Sequence, residues 1–175
     1  LDILGRIEEE GVLVVNSSLG VNRCIRRIMT ERFIAGGIAT PESRIIGRNE
    51  EMVKDIHYPC WLKRGDGCAQ QKEDTCYVQN EQEAEALLKE FWLRGITSVV
   101  VNEHLKGDLI KFYGVSGTDF FYWFYPSKCG HRSKFGLEVI NGEAQGIAFD
   151  AEDLKAEADK AADMLNVPVY GGDCV

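Results

Sequence analysis

A lysine stands at the end of an apolar segment and is followed by a glycine-bearing loop. Residues 60–62 (Cys-Trp-Leu) have the composition of a buried strand, Lys63 takes the next position, and Gly65 and Gly67 come shortly after it. A charged amine is costly to bury without a partner, and glycines let a backbone approach a ligand closely. The pattern therefore predicts that Lys63 either reaches solvent or meets an anion.

The net charge of the whole chain indicates which kinds of binding partner are expected. With 20 basic and 28 acidic residues the net charge is −8, which argues against a nucleic-acid binder because such proteins need a basic face. Residues 106–134 nevertheless contain five Lys or Arg against two Asp. A local excess of positive charge can focus potential on a small anion, although a solvated basic surface would look the same in sequence.

Hydrophobic periodicity and turn residues predict alternating helices and strands. The predicted helices are 1–10, 21–35, 49–55, 81–94 and one that follows the capping residue Asp150. The predicted strands are 12–16, 43–47, 56–62, 97–105, 109–115, 119–126 and one that begins near residue 167. The loop 64–75 contains little apolar area, so we expect it to be mobile without a ligand.

Several motifs in this order resemble the ATP-grasp superfamily over nearly the whole chain. They are GVLVVNSSLGVNRCIRRIMTERFIAGGIATP (11–41), YPCWLKRGDGCAQQ (58–71), VVVNEHLKGDLIKFYGV (99–115), HRSKFG (131–136) and YGGDCV (170–175). The resemblance implies an α+β fold of two lobes, each with an antiparallel sheet and helices, that grip ATP. The implied boundaries are 1–20 for the end of a preceding domain, 21–101 for the small lobe and 102–175 for an incomplete large lobe.

The resemblance also implies a role for individual residues. Lys63 would contact the α- and β-phosphates, while Gly65 and Gly67 would let the loop close over them. Arg26 stands where the family usually has its first nucleotide-binding lysine. The other implied positions are the backbone of Glu103, His104 and Leu105 for adenine, Asp108 for the ribose, Lys111 and Arg132 for the γ-phosphate or substrate anion, and Asp173 for Mg²⁺.

The implied activity is an ATP-dependent ligase that activates a carboxylate as an acyl phosphate for attack by an amine or a thiol. Two alternatives stay open: a small-molecule kinase of the inositol-phosphate type and a nucleotide-binding module without turnover. The expected ligands are ATP, Mg²⁺ and a small anionic substrate, with no nucleic acid and no membrane as partners; a homodimer is a further possibility.

Two further expectations concern the setting of the chain. Its six cysteines include no Cys-x-x-Cys pair, which favours reduced thiols and a cytoplasmic protein. The family continues to one more strand with metal ligands, so the 175-residue chain is expected to be a catalytically inactive part of a longer protein.

Overall fold

The computed structural model describes residues 2–52, 54–130 and 136–175. Its helices are α1 (Asp2–Glu9), α2 (Ser18–Arg23), α3 (Arg26–Gly36), α4 (Glu81–Leu93) and α5 (Ala151–Leu165). Its strands are β1 (Ser43–Gly47), β2 (Cys60–Arg64), β3 (Thr75–Val78), β4 (Ser98–Glu103), β5 (Ile110–Val115), β6 (Phe121–Phe124) and β7 (Val169–Cys174). Short 3-10 helices cover Lys72–Asp74 and Leu137–Asn141. This mixture of helices and antiparallel sheets confirms the predicted α+β class.

Contacts within the chain divide it into two compact units. Residues 23–104 form one, here the central unit, and residues 1–22 together with 105–175 form the other, here the flanking unit. The sequence-based boundaries at 20/21 and 101/102 stay a prediction. None of the helices in the described ranges is both long enough and apolar enough to span a membrane.

The central unit is built on a four-stranded antiparallel sheet in the order β1-β4-β2-β3. Side chains alternate between the two faces of a strand, so Cys60 and Leu62 of β2 point into a fully buried core. Helix α4 covers this core with Ala84, Leu88 and Phe91. Burying a side chain as large as Leu or Phe stabilises a fold by about 1.5–3 kcal/mol. The opposite face of β2 is therefore left to carry Trp61 and Lys63.

The flanking unit contains a three-stranded antiparallel sheet in the order β6-β5-β7. Three aromatic rings of this sheet lie directly over glycines of the neighbouring strand: Tyr170 over Gly114, Tyr113 over Gly171, and Phe112 over Gly172. A Cβ atom at Gly114 would overlap the Tyr170 hydroxyl group. The glycines thus allow β5 and β7 to pack large rings flat against the sheet. Helix α5 contributes Ala158, Ala162 and Leu165 to the core of this unit.

Three predicted elements were wrong. Residues 12–16 form no strand, because the Asn16 side chain itself donates to the Val169 carbonyl oxygen and accepts from its N–H. The predicted helix 21–35 is interrupted at residues 24–25, where Arg27 N–H turns to the Gly65 carbonyl. The described part of 49–55 is not helical, because Asn49 and Asp55 have left-handed φ angles of 64° and 67°.

Candidate functional site

Lys63 lies on an inner strand of the central sheet, opposite Thr75 of β3 and Val100 of β4. It is half-buried, and its Nζ lies 5.9 Å from the centre of the Trp61 ring, two residues earlier on the same face of β2. A cation at this distance from an indole ring gains a modest electrostatic attraction. The side chain is therefore held over an aromatic surface rather than inside the apolar core.

Arg26 lies beside the strand end that carries Lys63. Its Nε donates to the Arg64 carbonyl oxygen at 3.1 Å, and the N–H of Arg27 donates to the Gly65 carbonyl oxygen at 2.9 Å. Burial lowers the pKa of Arg26, while the nearby Cys68 and Asp74 oppose this shift. The start of α3 is thus bonded to the chain immediately after Lys63, and it brings a second cation to that region.

The two glycines of the loop have different surroundings. A Cβ atom at Gly65 would lie 2.7 Å from Ser98 Oγ and 2.8 Å from the Ser98 carbonyl oxygen. The Gly65 N–H donates to that carbonyl at 2.7 Å. A Cβ atom at Gly67 would lie 3.6 Å from its nearest neighbour, an atom of the Arg64 side chain. Gly65 is therefore required for close approach to β4, whereas nothing crowds Gly67.

The chain after Lys63 is held by polar contacts that the sequence did not predict. Asp66 accepts from Arg64 Nε at 2.6 Å and from the Thr97 N–H at 2.9 Å. Burial raises the pKa of Asp66, but the Thr97 amide and the Arg64 guanidinium outweigh this effect and bring the pKa below its ordinary value. The sequence-based argument for mobility considered only the small apolar area of the loop and did not include these polar contacts. Mobility without a ligand stays a prediction, and these contacts oppose it.

The predicted adenine-binding segment has backbone and side-chain contacts within each unit. In the central unit, Glu103 N–H donates to the Glu42 carbonyl and its Oε1 accepts from the Glu42 N–H, both at 2.9 Å. His104 Nδ1 accepts from Trp61 Nε1 at 3.2 Å, and its ring meets Tyr77 edge-on, with the centres 5.0 Å apart. The histidine thus packs into an aromatic group. In the flanking unit, the Leu105 carbonyl accepts from the Asn141 side chain at 3.3 Å.

Asp108 in the flanking unit holds an irregular segment of chain. Its two carboxylate oxygens accept backbone N–H bonds of 2.7–2.8 Å from Gln145, Gly146 and Ile147. These bonds, led by the Gln145 amide, bring the pKa of Asp108 below its ordinary value. A carboxylate has about four acceptor positions, so three bonds leave room for one more. The predicted contact with a ribose stays a prediction.

Lys111 and Asp173 were assigned separate tasks from the sequence, yet they bond to each other. They are opposite residues on β5 and β7, and Lys111 Nζ lies 2.7 Å from Asp173 Oδ1. The lysine side chain is 15% exposed and the aspartate side chain 58%. In this arrangement the positive charge of Lys111 is neutralised within its own sheet.

The described residues do not form a magnesium site on their own. Among residues 2–52, 54–130 and 136–175 no group of three His, Cys, Asp or Glu side chains is placed to hold a metal ion. Asp173, the predicted ligand, is the carboxylate that Lys111 pairs with. Magnesium requires several oxygen ligands, and this one paired carboxylate does not supply them. The other predicted residue of the anion site, Arg132, lies outside the described residues.

Comparison with known proteins rests on three-dimensional structure. No protein-family model matches the chain, and no curated protein matches it by sequence. The D-alanine–D-alanine ligase of Bacillus anthracis complexed with ATP superposes with a TM-score of 0.65 and 16% identity, covering 98% of this chain and 57% of that one. A RimK-domain ATP-grasp protein of Sphaerobacter thermophilus gives 0.67 and 18%, covering 99% and 62%.

A third solved structure, the D-alanine–D-alanine ligase of Coxiella burnetii, gives a TM-score of 0.68 and 14% identity, covering 98% of this chain and 49% of that one. The chain thus spans about half to three-fifths of the length of these structures. At such identities the likeness concerns the fold alone, and it includes nearly every element of the chain, with both sheets. The chain has the ATP-grasp fold.

Proposed function

We propose that this chain is the nucleotide-binding part of an ATP-dependent ligase that activates a carboxylate as an acyl phosphate. An amine or thiol would then displace phosphate. Two of the similar structures are D-alanine–D-alanine ligases, one of them complexed with ATP, which supports this class of reaction.

The observation that carries the proposal is a local excess of positive charge around the loop that follows Lys63. Six charged residues are Lys63 itself, members of the chain after it, or residues bonded to that chain: Arg26, Lys63, Arg64 and Arg94 against Asp66 and Asp74. Lys72 and Glu73 of the same loop cancel each other. An excess of about two positive charges within a chain of net charge −8 favours binding of a compact polyanion.

In this proposal Lys63 and Arg26 neutralise the α- and β-phosphates, and the backbone of 103–105 holds the adenine edge. Asp108 keeps its assigned contact with the ribose through its remaining acceptor position. Lys111, and Arg132 outside the described residues, would face the γ-phosphate or the substrate anion. The catalytic contribution is positioning and charge neutralisation, so no side-chain nucleophile is required.

An assay of ADP release, run with and without hydroxylamine over a panel of carboxylic acids, tests the reaction class. A ligase gives ADP that depends on the acid and, with hydroxylamine, a hydroxamate trapped from the acyl phosphate. A stable phosphorylated product without hydroxamate would replace the ligase with a kinase. The assay uses the longest natural form of the protein together with the 175-residue chain.

A second candidate, a nucleotide-binding module without turnover, is favoured by one observation. The carboxylate assigned to the metal is paired with Lys111, and the part of the chain that the structure describes places no other metal-binding group around it. ATP binding with no ADP release with any carboxylic acid would support this candidate.

The six cysteines, all free thiols, support the proposed cytoplasmic location.

A further inference from the structure

The loop after Lys63 ends in a fully buried carboxylate. Asp74 is 0% exposed and accepts the backbone N–H groups of Gln70 at 2.7 Å and Gln71 at 3.2 Å. It also forms an ion pair with Arg94, and Arg64 lies 3.9 Å from its other oxygen. Such a carboxylate is costly to bury unless its acceptor positions are filled, and here cations and amides together fill them.

Arg94 connects this carboxylate to helix α4. It is the residue at the C-terminal end of α4, whose apolar face packs on the central core. Its guanidinium reaches both the Asp74 carboxylate and, at 3.2 Å, the carbonyl oxygen of Glu73. The distal end of the loop is therefore tied to a rigid helix.

The proximal end of the loop is tied independently. The Arg64–Asp66 ion pair reaches Thr97, and the Gly65 N–H bonds to Ser98, so this end is fixed to the start of β4. Arg64 approaches Asp74 as well and thereby joins the two ends. The two ends of the loop are thus linked to each other through Arg64 and Asp74. Lys63, the proposed phosphate-binding residue, directly precedes Arg64 in the sequence.

We propose that Asp74 is a positioning residue: with Arg94 it holds the loop 65–71 in place beside Lys63 and so prepares this region for nucleotide binding. The inference rests on the proposed function for its nucleotide part and on the contacts alone for its loop part. The pairing with two arginines has a second effect, because it neutralises a carboxylate that would otherwise repel phosphate.

The loop part is tested by amide hydrogen exchange on the full chain and on its Asp74→Asn variant. The amide side chain keeps the shape and loses the charge, so the Gln70 and Gln71 amides should exchange about tenfold faster, with α4 unchanged. Unchanged exchange at both amides would overturn the proposal. If Asp74→Asn does not fold, Arg94→Lys, which keeps the charge and loses the planar fork, decides by the same criterion.

The nucleotide part is tested by calorimetric titration with ATP. Asp74→Asn removes a negative charge as well as the anchor of the loop, and the loss of loop order should outweigh the charge effect and weaken binding about fivefold. In a Lys63→Ala background it should cause almost no further weakening, because Asp74 acts through the geometry around Lys63. A purely structural effect would weaken binding equally in both backgrounds and would overturn the positioning role.

The matched control is Asp159→Asn in the flanking unit, which also removes a carboxylate bonded to a lysine and to a tyrosine hydroxyl. It should leave ATP affinity unchanged; an equal loss in this variant would also overturn the positioning role. If the parent chain itself does not bind ATP, the proposed function fails, while the exchange experiment still decides whether Asp74 anchors the loop.

Discussion

Lys63 and Lys111 each lie on an inner strand of an antiparallel sheet, yet their surroundings differ. Lys63 Nζ lies over an indole ring, on the strand end to which Arg26 bonds. Lys111 Nζ lies 2.7 Å from the carboxylate of Asp173. The position in the sheet is similar, but Lys63 directly precedes a segment that carries Arg64 and is bonded to Arg26, whereas Lys111 is paired with a carboxylate of its own sheet. Electrostatic attraction for a phosphate should therefore come chiefly from the central unit.

The largest expected effect is a loss of stability when Gly65, the residue after the strand that carries Lys63, is replaced. Gly65→Ala should lower the free energy of unfolding by about 1–3 kcal/mol, because its Cβ would overlap the Ser98 backbone. Gly67→Ala is the matched control and should be nearly neutral, since its Cβ meets only an ordinary contact at 3.6 Å. Urea unfolding of both variants measures the difference. Equal stability of the two would contradict the close approach of β2 to β4.

The second prediction compares the lysines directly. Lys63→Met should weaken ATP binding at least about tenfold, or about 1.4 kcal/mol, because the variant removes the charge that is proposed to contact the α- and β-phosphates. Lys111→Met should cost less than about threefold, because its charge is already balanced by Asp173. Calorimetric titration of both variants gives the two affinities. A larger loss at Lys111 than at Lys63 would reverse the comparison.

A smaller effect follows from releasing Lys111. In the presence of a metal chelator, Asp173→Asn should strengthen ATP binding by up to about fivefold, since an ion pair whose carboxylate is 58% exposed contributes at most about 1 kcal/mol. The substitution releases the lysine that is assigned to the γ-phosphate or the substrate anion and removes the carboxylate that neutralises it. Titration with the same nucleotide stock checks this. Weaker binding would show that the Asp173 carboxylate itself favours the nucleotide.

The smallest predicted effect concerns Asp108 and pH. Its pKa in the fold lies below the ordinary value of 3.8, so its stabilising effect is complete above that value and is lost as the pH falls through the folded pKa. Thermal unfolding of the parent and of Asp108→Asn should give a higher midpoint for the parent at pH 7. This difference should shrink as the pH falls below about 3.8. A difference that stays constant or grows in acid would show that the Asp108 carboxylate does not stabilise the segment 145–147.

Local signals in the sequence predicted the regular elements well where capping and periodicity agree. The prediction of a helix over 81–94 is confirmed as α4: Asn80 caps it by accepting the Glu83 N–H, and Ala84, Leu88 and Phe91 form its buried stripe. Strand 12–16 failed although its apolar composition is typical of a strand. Its last residue, Asn16, bonds to a residue 153 positions away, and no local pattern carries that information.

The sequence predicted which residues belong to the candidate site better than it predicted the contacts between them. The sequence singled out Lys63, Lys111 and Asp173 by type and order, but not the pairing of the last two, which depends on the register of β5 against β7. The Asp74–Arg94 ion pair was missed for a related reason, since its partners are 20 residues apart and meet only after α4 packs on the sheet. Spacing along a strand or helix is visible in sequence, whereas register between elements is not.

Nucleotide phosphates are proposed to bind beside Lys63 and the loop after it. Titration of ¹⁵N-labelled protein with ATP, followed by NMR, tests this at the level of single amides in a 19.6 kDa chain. We expect large chemical-shift changes at residues 64–71 and 103–105, small ones in α5, and loss of the loop changes in Lys63→Met. Shifts confined to the flanking unit, or no shifts at millimolar ATP, would contradict it.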